Sequence, residues 1–381
     1  MKANPGGMIP PDQVIGRDQL ISNLWSVLEQ QSVTLSAERR MGKTTVIRKM
    51  AADGNADQLI IFRDVENVRS PVEFVELAWQ DIENYLSNKG KARRVRDFLS
   101  SISGVQFAGI KFPDIAKTHW KTLLTKAIED LVENQDCQVV FLWDEIPFML
   151  DNIDQEAAME MLDTLRSLRQ TYPDVRMVFT GSIGLHHIIK QLRQAGYSGE
   201  PTNDMYPMDV PPLSLADATE LTIRLIQGEN IATLNLQITA KEIAEAVGCI
   251  PFYIHHVVNR LKFIDGAIDR DIVTKVINDS VVDALNPWQM DHYRDRINNY
   301  YGEKQQVYAL EILDILAIEP SLTFHELWNR LSLNSQIRDK EMARTILRLL
   351  VKDYYLIQEV KAYSFRYQLV GKYWELSRDL E

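Results

Sequence analysis

The residues with the most chemical meaning lie in AERRMGKTT, Ala37 to Thr45, between the β-branched run SVTLS and the helical VIRKM. A phosphate-binding loop needs a strand that delivers it, backbone amides curled round the anion, a lysine reaching the outer phosphates and a hydroxyl for Mg²⁺. Gly42, Lys43 and Thr44 supply the GKT, and the following helix would point its positive N-terminal end at the anion. The consensus G-x-x-x-x-G-K-[ST] asks for glycine where this chain has Ala37. If that position needs a positive φ, alanine costs about 1 kcal/mol there. Nucleotide binding is therefore expected ahead of rapid turnover.

A second acidic signal lies downstream. The run VVFLWDEIPFML ends a strand-like stretch with Asp144 and Glu145. Asp144 would hold Mg²⁺ or its waters, and Glu145 would polarise an attacking water. The next strand closes on Thr180-Gly181-Ser182, a polar tip where Thr180 is placed to sense a γ-phosphate. An acidic strand end is common in isolation; the upstream loop on the same presumed sheet gives this one its meaning.

Holding these groups requires a sheet. Short apolar runs at 32–36, 59–62, 139–143 and 175–180 alternate with helical patterns such as EAAMEMLDTLRSLRQ, the signature of a parallel α/β sheet buried on both faces. A long, mostly helical insertion separates the second and third runs and contains a hairpin candidate, GVQFAGIKF. The Pro-, Gly- and Ser-rich stretch from Ala195 to Ser214 reads as a domain boundary. Helices follow it, with capping boxes expected at Ser214/Asp217 and Thr239/Glu242. Beyond about Asn286, helical patterns at Lys304–Ile318, Phe324–Leu331 and Arg338–Lys352 precede two strand-like segments, YLIQE and YSFRY. Three helices and a two-stranded wing have the order of a winged helix-turn-helix, with Thr323 and Glu326 capping its middle helix.

Composition narrows the classes. The 381 residues carry 42 Lys+Arg against 53 Asp+Glu, a formal charge of −11, which disfavours a chain that coats nucleic acid through its overall charge. At 45% hydrophobic and 25% charged, disorder and fibrous structure are excluded. Two cysteines make no disulfide scaffold, and the absence of an apolar leader or a long apolar run predicts a soluble, cytoplasmic protein without a membrane span. The histidine pairs His186/His187 and His255/His256 lack zinc spacing and are expected to have structural or surface roles.

On these motifs the sequence resembles the STAND-like P-loop ATPases of the AAA+/ORC-related branch, especially the prokaryotic family known as the archaeal-type ATPase domain. The resemblance rests on the box VIGRDQL, the paired Arg39 and Arg40 before GKT, Walker B as LWDEIPFML, FTGS, Pro212-Leu213-Ser214, and Gly248-Cys249-Ile250-Pro251. It implies an ATPase core over 1–212, a helical lid over 213–285 and a winged-helix domain over 286–381. It also implies ATP/ADP and Mg²⁺ as cofactors. Lys43, together with Arg39, Arg40, Met41, Gly42, Thr44 and Thr45, would hold the phosphates, with Thr44 and Asp144 as Mg²⁺ ligands and Glu145, Lys43 and Thr180 catalytic. Val14, Ile15 and Gly16 would line the base pocket, Arg17 would be a further nucleotide-binding residue, and Pro251 would close the pocket. Arg40, Arg166, Arg169 and Arg193 are all available as an arginine finger.

The expected function is an ATP-dependent molecular switch or assembly ATPase, whose winged helix conveys nucleotide state to a protein partner or a second copy of the chain. The alternative is an ATP-regulated DNA-binding protein resembling an ORC/Cdc6-type initiator. Lys340, Arg344, Arg348 and Lys352 recur every four residues and form one basic stripe opposite Ile346, Leu349 and Leu350. Acidic neighbours interrupt the stripe, and basic and acidic residues nearly balance from Gln305 to Glu381. A solvated helix face is the plainer reading of it. Trp288, Tyr300, Tyr301 and Trp374 are expected in the core rather than at an interface.

Overall fold

The computed structural model describes residues 1–54, 57–86, 94–103, 112, 114–181 and 184–380. The candidate hairpin at GVQFAGIKF lies almost wholly outside the described residues. The chain forms two compact units. One comprises Pro10–Ala37 and Lys43–Val210; the other comprises Met1–Ile9, Glu38–Gly42 and Pro211–Glu381.

The first unit is built on a five-stranded parallel sheet in the order β2-β3-β4-β1-β5. Its strands are β1 (Ser32–Ser36), β2 (Gln58–Asp64), β3 (Gln138–Asp144), β4 (Val175–Thr180) and β5 (Met205–Asp209). In the interior strand β3 every residue after Gln138 is buried, because helices cover both faces and leave no side of the strand to water. Trp143 anchors the core, edge-on to Phe74 at 4.9 Å and stacked on Phe141 at 4.9 Å. The helix Gln155–Thr171 buries Ala158, Met161, Leu162, Leu165 and Leu168, one stripe at 3.6-residue period, and Asp154 caps it by accepting from the Ala157 amide at 2.9 Å.

β5 falls inside the stretch that reads as a boundary linker. Its sequence, MYPMD, contains Pro207, which removes a ladder donor and masks the strand pattern. The position explains the exception: β5 is the last strand in the sheet order, and an edge strand tolerates proline. It pairs with β1 from Ser32↔Met205 to Ser36↔Asp209.

The second unit is largely helical. Helices Leu215–Gly228, Leu236–Ala246, Pro251–Leu261 and Arg270–Val281 come first. Helices His292–Tyr300, Glu303–Ile318, Phe324–Leu331, Lys340–Lys352 and Gln368–Ser377 follow, with a three-stranded antiparallel sheet ordered β6-β8-β7. Its strands are β6 (Leu322–Thr323), β7 (Leu356–Glu359) and β8 (Ala362–Phe365). Ser214 caps its helix by accepting from the Asp217 amide at 3.0 Å, and Thr323 with Glu326 forms a complete capping box.

Thr239 departs from expectation. It lies buried in the second turn of Leu236–Ala246, whose N-cap is Asn235, accepting from the Ile238 amide at 3.1 Å. The short polar Asn235 outcompetes Thr239 because the helix begins one turn earlier. Trp288, Tyr301 and Trp374 are buried, and Trp374 Nε1 donates to Asp314 at 2.7 Å. Among the described residues no helix is long and apolar enough to cross a membrane.

Candidate nucleotide site

The candidate phosphate loop begins at the end of β1 and leads into the helix Lys43–Ala52, with both elements where the sequence places them. Two loop residues adopt positive φ, Arg40 at 71° and Gly42 at 87°. Ala37 is not among the positive-φ residues, so the alanine in place of the usual glycine carries no left-handed strain. That strain falls instead on Arg40, where a side chain costs about 1 kcal/mol.

Lys43 is buried at the start of the helix, and its Nζ donates to the Ala37 carbonyl at 2.9 Å across the loop. Thr44 Oγ1 donates to Asp144 Oδ2 at 2.6 Å, and Thr180 Oγ1 donates to Asp144 Oδ1 at 2.7 Å. The tips of β3 and β4 and the first turn of the helix thus converge on one buried carboxylate. A carboxylate with two hydroxyls is an all-oxygen donor set, the chemistry a hard cation such as Mg²⁺ takes. Thr45, partly buried, follows on the same helix.

Glu145 occupies the next position, with φ 62° and ψ 35°, at the N-cap of helix Ile146–Asn152. A non-glycine residue held in the left-handed region at a strand tip stores strain of order 1–3 kcal/mol, a feature found where a side chain must be aimed. Gly181, after β4, packs against it. A Cβ at Gly181 would overlap Pro147 and come within 3.5 Å of a Glu145 carboxylate oxygen, so only glycine fits beside that carboxylate.

Residues on either side of Val14–Arg17 touch the helix after the loop. Lys49 Nζ donates to the Pro11 carbonyl at 3.4 Å and approaches Asp18 at 3.9 Å. Val14, Ile15 and Gly16 are partly buried, and Arg17 is buried at the N-cap of helix Asp18–Leu28.

Residues Glu38–Gly42 pack within the second unit. Arg40 lies over the Phe252 ring at 4.2 Å and donates to Gln289, while Met41 is fully buried. Phe252 directly follows Pro251, the first residue of its helix. The turn before it carries positive φ at Gly248 (64°) and Cys249 (56°), and the Cys249 carbonyl accepts from the Leu213 amide at 3.1 Å. The Pro212-Leu213-Ser214 and Gly248–Pro251 elements are therefore neighbours.

Sequence reasoning missed Glu38. Its buried carboxylate receives both arms of the Arg296 guanidinium, at 2.7 and 3.1 Å, and lies 3.4 Å from His292. Burial pushes its pKa up, but Arg296 and His292 outweigh burial and hold it well below the usual carboxylate range. Arg296 stays charged despite burial, and His292 is pushed below its ordinary value mainly by burial. Some 258 residues separate Glu38 from Arg296, so no local pattern could announce the pair.

The arginine candidates separate. Arg169 is buried and makes a two-armed contact to Asp204 at 2.9 Å, which fixes it structurally; Arg193 pairs with Glu200. Of the basic stripe, Arg344 pairs with Glu341 and lies 4.5 Å over the Phe324 ring, and Lys340 lies 5.7 Å from the same ring. Lys340, Arg348 and Lys352 are exposed.

No protein-family model matches the chain, and no curated protein matches it in sequence. Solved structures do match. A Walker-type ATPase of Pyrococcus abyssi superposes with a TM-score of 0.66 at 16% identity, over 98% of this chain and 100% of that one. The ORC2 protein of Aeropyrum pernix, solved as ADPNP–ADP complexes, superposes with a TM-score of 0.57 at 10% identity, over 99% and 98%. At such identities the likeness is one of fold: the chain shares the α/β fold of these two structures, with the candidate phosphate loop between β1 and the first helix after it.

Proposed function

We propose that the protein binds ATP and ADP with Mg²⁺ at the loop Ala37–Thr45 and hydrolyses ATP slowly, as a nucleotide-dependent switch. The observation that carries this reading is the convergence of Thr44 and Thr180 on Asp144, beside Lys43 and next to Glu145. Lys43, freed from the Ala37 carbonyl, would neutralise the outer phosphates, while the amides of Arg39, Arg40, Met41 and Gly42 line the loop. Thr44 and Asp144 would hold Mg²⁺, which when bound offsets phosphate charge. Glu145 would take a proton from the attacking water, and Thr180 would register the γ-phosphate. Val14, Ile15 and Gly16 would line the base, with Arg17 a further nucleotide contact.

The domain order proposed is an ATPase core, a helical lid and a C-terminal winged helix of the STAND-like type, the last conveying nucleotide state to a protein partner or a second copy. A ligand shifts a two-state equilibrium only through unequal affinity for the two states. Protease sensitivity and particle mass should therefore differ between ATP and ADP. Identical behaviour with the two nucleotides would remove the switch.

A second reading, duplex DNA binding through helix Lys340–Lys352, draws on the exposed Lys340, Arg348 and Lys352. The engagement of Arg344 by Glu341 and Phe324 favours the protein partner. Salt-dependent duplex binding that weakens on Arg348→Ala would reverse that order.

A further inference from the structure

Within the second unit, residues Glu38–Gly42 of the candidate loop are held to helix His292–Tyr300 by a buried ion pair whose purpose phosphate chemistry does not explain. Glu38 precedes Arg39 in the loop, and its Oε1 also accepts from the Arg39 amide at 2.7 Å. The carboxylate is fully buried. Its partner Arg296, on helix His292–Tyr300, simultaneously donates to the Asp353 carbonyl at 2.7 Å and lies 5.4 Å from the Tyr355 ring. Asp353 and Tyr355 connect helix Lys340–Lys352 to β7. Asp353 accepts from the Tyr301 hydroxyl at 2.5 Å, and the Tyr355 hydroxyl donates to the Tyr293 carbonyl at 2.5 Å. One arginine thus holds a loop side chain and the junction that leads into the small sheet. Its planar fork suits this double duty, which a lysine cannot reproduce.

We propose that Glu38 and Arg296 are positioning residues: a latch that sets the backbone of the phosphate loop and makes nucleotide occupancy felt at helix His292–Tyr300 and the Asp353–Tyr355 junction. This rests on the phosphate-site reading above and names the route by which that site is regulated. An anion drawing the Arg39–Gly42 amides toward itself must move or strain Glu38, which is covalently next to them. Because the carboxylate is dry and bidentate, it shifts only together with its guanidinium. Reciprocity follows: releasing the latch in the C-terminal unit changes nucleotide affinity by the same factor that nucleotide changes the latch.

The test uses the full chain and Mg²⁺ with ATP or ADP, reading affinity by calorimetry and hydrogen exchange at residues 292–300 and 353–356. In the wild type, exchange there should differ between the two nucleotides. The double variant Glu38→Met/Arg296→Met replaces the pair by apolar groups without leaving a lone buried charge. It should bind ATP about 10-fold more weakly and lose the ATP–ADP difference in exchange. Arg296→Lys, which keeps the charge but not the fork, should give a smaller loss of both and decides the matter if the double variant does not fold. Wild-type affinity with an undiminished exchange difference in these variants would overturn the latch. A wild type that binds nucleotide without any exchange difference at these residues also overturns it while leaving the phosphate site standing. Failure of the wild type to bind nucleotide removes both.

Discussion

Two carboxylates flank the phosphate loop's chemistry, each only 1% exposed, and their partners set them apart. Asp144 accepts from two hydroxyls, those of Thr44 and Thr180. Hydroxyls carry no formal charge and turn easily, so a divalent cation can enter and take both sides as ligands. Glu38 is already paired with Arg296 in a two-armed contact, and its charge is spent on holding the chain. Burial alone is therefore no mark of a catalytic acid. The identity of the partner separates a carboxylate held only by hydroxyls, as a metal ligand would need, from one held by a guanidinium.

That contrast can be broken by substitution. The largest effect is expected on the fastening side. Glu38→Ala leaves the Arg296 guanidinium buried without its carboxylate and should cost about 3–5 kcal/mol. Denaturant unfolding of the full chain measures it, and a cost below 1 kcal/mol would show the pair to be dispensable. On the metal side, Asp144→Asn keeps an acceptor but loses the charge, so stability should change little while Mg²⁺-dependent nucleotide affinity falls at least 10-fold, about 1.4 kcal/mol. Calorimetric titrations with and without Mg²⁺ read the difference.

Gly181→Ala drives a methyl into Pro147 beside Glu145 and should destabilise by about 1–3 kcal/mol. It should lower ATP turnover more than ATP affinity, because it disturbs the residue assigned to the attacking water. The smallest effect concerns a feature outside the comparison. Thr323→Ala removes a cap whose hydroxyl accepts from the Glu326 amide, and should cost about 1 kcal/mol with unchanged nucleotide binding.

Acid acts on two buried groups of the second unit. His255 is buried, accepts from the Asn4 amide through Nδ1 at 3.1 Å, and is pushed down to about 4 by burial. Its ordinary value is 6.5, so between pH 6.5 and 4 the unfolded chain binds the proton first and stability falls as pH falls. Glu38, depressed by Arg296 against its burial, adds its own loss below its ordinary value of 4.5. Stability followed from pH 7 to 4 should decline through the first window, and His255→Gln should flatten that decline.

The amino-acid sequence exposed this architecture unevenly. β1, β3 and β4 were legible because strands buried on both faces must be apolar throughout, and the loop after β1 because phosphate chemistry demands particular residues in a row. Lys43 and Thr44, Asp144, and Thr180 come from three segments whose only shared signal is a polar residue at a strand tip or helix start. β5 hid behind Pro207, tolerated only because the strand ends the sheet. The start of helix Leu236–Ala246 was misread because Thr239 and Glu242 imitate a cap that Asn235 supplies. The Glu38–Arg296 pair was not legible at all: each residue reads as an ordinary surface charge, and only folding brings the two into one dry contact.

The most direct test of the central claim is calorimetric titration of ATP with Mg²⁺ into the wild type and into Lys43→Ala. The arrangement of Lys43, Thr44 and Asp144 predicts saturable, Mg²⁺-dependent binding in the wild type and its loss in the variant with folding preserved. Equal affinity in the two proteins, or a wild type indifferent to ATP, would contradict it.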